Sequence, residues 1–263
     1  MDRLEERVAI VTGSTRGIGA AIAERFAKEG ASVVVSGRSE EEGKQVVERL
    51  DSEGGEGEAT FVRADMRDPD AISRLIEKTV EEYGRIDVVV NNAGVQTETT
   101  AREAGMDDWA FILETNFRAY WLAVKEAIEH MPNGGSVINV SSNHSRETMP
   151  AHFPYNAVKA GINGMTRALA VELGPLGIRA NTISPGWIEV ERTREELPED
   201  RREHVEAIHP LGKIGDPEDV AGVAAFLASD DAAFMTGSNL LVDGGRGAVM
   251  EDEPFLAYRS KFD

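Results

Sequence analysis

Tyr155 and Lys159 stand four residues apart, and Ser142 lies thirteen positions before the tyrosine. On a helix, a four-residue spacing sets the phenol and the ammonium on one face. A free phenol has a pKa of ~10, and a base useful near neutrality needs roughly 3 units less, about 4 kcal/mol in favour of the phenolate. An ammonium beside the ring supplies part of that by Coulomb attraction. The chemistry on offer is proton transfer. A Tyr-x-x-x-Lys pair alone is common on helices, so its neighbours in the chain decide its weight.

Two such neighbours are informative. Thr12-Gly13-Ser14-Thr15-Arg16-Gly17-Ile18-Gly19 follows the apolar run Val8-Ala9-Ile10-Val11 and opens a helical pattern. Glycines there could serve only a tight strand-to-helix turn. They also let the backbone approach a pyrophosphate, whose charge then sits at a helix N-terminus. Asn91-Asn92-Ala93-Gly94 follows a second apolar run, Ile86 to Val90.

The elements that must hold these groups are legible as alternating apolar runs and helical patterns, the signature of a parallel sheet flanked by helices. Strands are expected at Val8–Val11, Ser32–Val35, Phe61–Val62, Ile86–Val90, Val137–Val140, Ile178–Ser184 and Asn239–Val242. Between them, Ile18, Ala21, Ile22 and Phe26 recur at helical spacing until Gly30, and an acidic, glycine-rich turn is expected over residues 51–57. One long helix is expected from about Asp107 to Met131, and another from Tyr155 to about Gly174. Residues 185–214 form a long charged segment, a length often given to lids and binding loops. The tail from Arg246 to Asp263 shows no clear period.

Taken in this order and spacing, the glycine turn, the Asn-Asn-Ala-Gly run and the Ser, Tyr and Lys positions resemble the short-chain dehydrogenase/reductase family over roughly residues 5–245. The resemblance implies an α/β fold: a single doubly wound Rossmann-type domain over residues 1–263, with a mostly parallel seven-stranded sheet and 185–214 as the substrate-binding segment. It implies an oxidoreductase that moves a hydride between NAD(P) and a secondary alcohol or its carbonyl. Tyr155 would be the general acid/base and Lys159 the ribose-binding cation beside it. Ser142 would hold the substrate oxygen, and Asn116 would help seat the lysine through a water. The lesser alternative for Asn116 is a structural asparagine inside its helix.

The cofactor set implied by the resemblance is Gly13, Ser14, Thr15, Arg16, Gly17, Ile18 and Gly19, then Arg38, Asp65, Met66, Asn92, Ala93, Gly94, Tyr155, Lys159, Pro185, Gly186 and Ile188. Asn91 would line the nicotinamide-ribose side with Gly94. Asp65 could instead be a helix cap or a loop carboxylate. Val190 departs from the pattern, standing where a threonine often donates to the carboxamide. NAD-selective members usually carry an acidic residue at the end of the second strand. This chain has Gly37 followed by Arg38, with Arg16 facing the same region. Two guanidiniums can grip a 2′-phosphate that a carboxylate would repel, so NADP is expected, with NAD possible.

Composition narrows the partners. There are 47 acidic against 28 basic residues, a formal net charge of −19 that opposes binding to nucleic acid or anionic membranes. It would also suit a high-salt cytoplasm, although an ordinary acidic enzyme is the simpler reading. No cysteine means no thiol nucleophile and no thiolate metal site, and the five histidines lack ligand spacing, so no metal is expected. No signal peptide or bilayer-length apolar run is evident, which points to a cytoplasmic protein. Phe117, Tyr120, Trp121 and Val124 give the 107–131 helix more apolar surface than one sheet-facing side needs, unless all of them are intramolecular core, and the family resemblance implies a homotetramer through the helices at 107–131 and 154–174.

The stretch from Ile138 to Lys159, with Ser141-Ser142-Asn143-His144, looks most like bacterial glucose 1-dehydrogenases and related sugar dehydrogenases. Ser142, His144, Tyr155 and Trp187 are the expected substrate contacts, with Arg146, Glu189, Glu191 and Arg192 near the mouth; Trp187 could equally pack on the nicotinamide. The 3-oxoacyl-carrier-protein reductases share the general pattern, but a protein at −19 would repel an acidic carrier unless a basic patch were concentrated at the entrance. A cofactor-binding regulator would be expected to lose Ser, Tyr or Lys, and all three are present.

Overall fold

The computed structural model describes residues 3–52, 57–131, 134–191 and 197–262. Strands β1 (Val8–Thr12), β2 (Ser32–Gly37), β3 (Ala59–Arg63), β4 (Val88–Asn91), β5 (Gly135–Val140), β6 (Ile178–Pro185) and β7 (Asn239–Val242) form one sheet. Their order is β3-β2-β1-β4-β5-β6-β7, and every pairing is parallel. The sheet is therefore wholly parallel among the described residues, where mostly parallel was expected. Helices α1 (Gly17–Lys28), α2 (Glu40–Ser52), α3 (Pro69–Tyr83), α4 (Met106–Leu113), α5 (Ala119–Ala127), α6 (Tyr155–Leu173), α7 (Glu199–Ala207), α8 (Pro217–Ala228) and α9 (Asp252–Arg259) complete the chain.

Both faces of the sheet are covered, which is why its strands read as continuous apolar runs. Successive strand residues point to opposite faces. Ala9, Val11, Val33, Val35, Val88 and Val90 pack with α1 and α8, whereas Ile10, Val34 and Val89 pack with α3, α5 and α6. The strand order reverses between β1 and β4, so the connections leave a crevice at the carboxyl ends there. The glycine turn, the Asn91–Gly94 run, Ser142 and Pro185 all lie at those carboxyl ends.

Two expectations are refined. The helix expected over 107–131 runs without a gap from Met106 to His130, but it is not α-helical throughout: α4 ends at Leu113, Glu114–Arg118 forms a π-helical turn, and α5 runs on to Ala127 before a 3₁₀ turn. Asn116 lies inside that π turn, and its side chain is drawn out to the backbone of Val95. The tail carries helix α9, which its own sequence pattern did not announce. Arg259 at its end donates to the carbonyls of Glu206, Ala207 and His209 at 3.1, 2.9 and 2.9 Å, so α9 is anchored by the end of α7.

Candidate active site

The glycine turn is built by backbone conformation and crowding. Gly13 takes φ 63°, a left-handed value costly for other residues. A Cβ on Gly19 would fall 2.3 Å from the Gly13 carbonyl oxygen, so the turn closes only on a hydrogen. Asn92 Nδ2 donates to the carbonyls of Thr12 and Gly13 at 2.9 and 3.0 Å, and Thr12 Oγ1 accepts from the amides of Asn92 and Ala93 at 3.0 and 3.1 Å. The loop after β1 is thus locked to the loop after β4. Arg16, at the N-cap of α1, makes no side-chain capping bond, so the N–H groups of the first turn receive no acceptor from it. A side-chain-free cradle ending in an uncapped twelve-residue helix fits a pyrophosphate.

At the other side of the crevice, α6 begins at Tyr155 and carries Lys159 one turn on. Ser141 Oγ donates to the Lys159 carbonyl at 2.8 Å and pins this turn to the end of β5. Lys159 is buried, and its Nζ donates to the Val140 carbonyl at 2.8 Å. That ammonium lies 5.6 Å from the centre of the Tyr155 ring and 5.7 Å from that of Tyr120. Burial pushes its pKa down to about 7. Ser142 accepts from the His144 amide at 3.1 Å and donates to Asn143 Oδ1 at 3.2 Å. A Cβ on Gly94 would sit 3.6 Å from Asn116 Oδ1 and 3.7 Å from Lys159 Nζ, so the loop after β4 passes directly beside both. Asn116 itself donates to Val95 O at 2.7 Å and accepts from Val95 N at 2.8 Å.

A family model described as enoyl-(acyl carrier protein) reductase matches residues 13–246, from the glycine turn past β7. The chain belongs to the short-chain dehydrogenase/reductase family. It is 38% identical to glucose 1-dehydrogenase 2 of Bacillus subtilis, over 92% of this chain and 95% of that one. It is 37% identical to a 3-oxoacyl-(acyl-carrier-protein) reductase of Chlamydia muridarum, over 92% and 98%. A crystal structure of a dehydrogenase/reductase from Sinorhizobium meliloti 1021 superposes with a TM-score of 0.86 at 37% identity, covering 92% of this chain and 96% of the other. As a member of this family the chain is an oxidoreductase acting on CH–OH groups of small molecules with NAD(P). No helix among the described residues is long and apolar enough to cross a membrane. Relatives named for a sugar and for an acyl carrier match almost equally, so identity does not select the substrate.

Several residues expected to face the cofactor of this dehydrogenase/reductase have side chains committed elsewhere. Ser14 is fully buried, donating to Val11 O at 2.6 Å and accepting from Ser36 N at 3.0 Å. Met66 belongs to the core beside α3, and Ile18 packs partly against the opposite core layer. Asn91 is fully buried, donating to Tyr120 O at 3.2 Å and Asn139 Oδ1 at 2.9 Å, so its amide ties β4 to α5 and β5 instead of lining the crevice. Asp65 accepts from the Arg67 amide at 3.0 Å as a loop carboxylate, while Asp68 caps α3. Gly186 lets β6 pass β7, since its Cβ would fall 2.6 Å from Asp243 Cβ, and Ile188 bridges to Gly215. A methyl of Val190 lies 3.3 Å from the Cβ position of Gly17, so this segment crosses the glycine turn with an apolar group.

Towards the mouth, His144 meets the Tyr155 ring edge-on at 5.8 Å and stacks on His152 at 4.4 Å. Burial, and then the neighbouring His152, push its pKa down to about 4. Trp187 lies under the Arg201 guanidinium, and Glu189 is ion-paired with Arg202. Arg146 and Glu191 are exposed, and Arg192 lies outside the described residues.

Two residues of the site were missed from sequence. His152 gave no signal beyond being near Tyr155. In sequence Tyr120 belongs to the apolar surface of its helix, yet it is fully buried and its hydroxyl donates at 3.2 Å to the same Val140 carbonyl that holds Lys159. Its position four residues after Asn116 was the available clue.

Proposed function

We propose that this single-domain protein is a cytoplasmic, NADP-preferring sugar dehydrogenase that oxidises an aldose at its anomeric carbon to the lactone. The observation that carries the reading is the His144–His152 stack at the edge of Tyr155. With a pKa near 4, His144 is neutral at working pH and offers an uncharged hydrogen-bonding ring next to the acid/base group. A sugar hydroxyl can pair with it, whereas an apolar ligand would leave buried polar groups unpartnered at roughly 1–3 kcal/mol each.

In this reading Ser142 Oγ donates to the substrate oxygen and holds it against Tyr155, whose phenolate takes the hydroxyl proton. Lys159 favours the phenolate, and Asn116 and Gly94 keep its surroundings in register. The glycine turn, with Arg16 and Arg38 for the 2′-phosphate, would hold NADP, and Thr15, Ala93, Pro185 and the backbone of Ile188 would complete its wall. Bound NADP supplies the two-electron acceptor that no side chain offers. Trp187 would give an apolar wall to a sugar ring.

The carrier-protein reductase reading is favoured by a relative's identity, but the net charge of −19 opposes an acidic partner. A homotetramer through α4–α5 and α6 fits the exposed Met106, Leu113 and Trp121, and light scattering that returns a 28.6 kDa monomer would reject it. NMR of a turnover mixture tests the reaction itself: a lactone or its aldonic acid must accumulate, and an unchanged aldose sinks the reading.

A further inference from the structure

The adenosine corner of the crevice holds a carboxylate that the sequence did not point to. Gly37 ends β2 without a side chain, and a Cβ there would fall 2.6 Å from the Thr15 methyl. Thr15 therefore fills the place where an acidic side chain on the strand end would begin. Its hydroxyl does not point to empty space: it donates to Glu42 Oε2 at 3.1 Å.

Glu42 is one of three glutamates in the first turn of α2, where the helix dipole favours negative charge. The other two behave differently. Glu40 is exposed and paired with Lys44 at 2.7 Å, and Glu41 is exposed, whereas Glu42 is half-buried against the glycine turn. The corner also carries cations. Arg16 adjoins Thr15, Arg38 adjoins Gly37, and Arg63 from β3 donates to the Arg38 carbonyl at 3.1 Å.

We propose that Glu42 is a specificity-determining residue, an internal anion that competes with the cofactor's 2′-phosphate for Thr15 and so limits the preference for NADP over NAD. The inference rests on the reading of Arg16 and Arg38 as the phosphate grip. A ribose hydroxyl is a donor that a carboxylate can accept from, while a phosphate is an acceptor that it repels. The grip and its opponent share one corner, and their balance sets the selectivity.

The test is binding of 2′,5′-ADP and of ADP to the full-length protein by calorimetry, for the parent and for Glu42→Gln. Glutamine can still accept from Thr15 but carries no charge. The substitution should tighten 2′,5′-ADP by about three- to tenfold at low salt, leave ADP unchanged or weaker, and lose its effect as salt rises. Glu42→Ala should move the ratio the same way and serves if the glutamine variant melts early. A ratio that stays within about twofold of the parent in both variants, at low salt, overturns the proposal. The parent's own ratio judges the NADP reading separately. If the parent prefers ADP and Glu42→Gln still shifts the ratio, that reading falls and the role of Glu42 stands.

Discussion

Lys159 and Tyr120 donate to one acceptor: the ammonium at 2.8 Å and the phenol at 3.2 Å both reach the carbonyl of Val140, the last residue of β5. One peptide oxygen thereby fixes the cation behind Tyr155 and the helix that follows the Asn116 turn. Asn91 adds a second hold on that helix by donating to the Tyr120 carbonyl. The proton-transfer machinery is thus mounted on the sheet itself, not on a mobile loop.

Tyr155→Phe keeps the ring beside His144 and removes only the ionisable oxygen. Turnover should fall by ~10²–10⁴-fold, the usual contribution of a general acid–base group, with cofactor affinity nearly unchanged. Steady-state kinetics together with a cofactor titration check this, and turnover within a few-fold of the parent would remove Tyr155 from its role.

Lys159→Met should alter the pH dependence of stability. The ordinary lysine pKa is 10.5, and burial brings the folded value to about 7. Between these values the unfolded chain binds the proton and the folded chain does not, so this group makes stability rise with pH above about 7 and leaves it flat below. Denaturant melts from pH 7 to pH 9 should show a slope in the parent that the methionine variant lacks, at up to ~1.4 kcal/mol per unit. Parallel curves would mean that burial does not lower the pKa of Lys159. Turnover should fall as well, because the charge beside Tyr155 is gone.

His144 should titrate near pH 4 by imidazole NMR, below the ordinary 6.5, and His152→Ala should raise that midpoint because it removes the second cause. As pH falls from 6.5 towards 4 the unfolded chain protonates first, so this group's share of stability is lost across that window. His144→Ala should raise the sugar KM or lower kcat without weakening cofactor binding. Unchanged kinetics would take His144 out of the substrate contacts.

The parts of this account readable from sequence are local ones. The glycine turn announces itself because strand, glycines and helix are contiguous, and Tyr155 and Lys159 because one helix turn links them. What could not be read depends on partners far along the chain. The π turn carries Asn116, whose partner Val95 lies 21 residues away, and a continuous apolar pattern hides it. Tyr120 looks like surface apolarity until β5 supplies its acceptor. Glu42 reads as one of three solvated glutamates until Thr15, 27 residues earlier, is brought against it. Helix α9 has a weak pattern of its own and is anchored by Arg259 on the end of α7.

The most direct test of the central claim is a comparison of kcat/KM for the purified protein on aldoses, polyols, a 3-oxoacyl thioester and a hydrophobic ketone, each with NADP(H) and NAD(H). An aldose with NADP should give the highest value. Turnover of the thioester or the ketone with no activity on any aldose or polyol would contradict it.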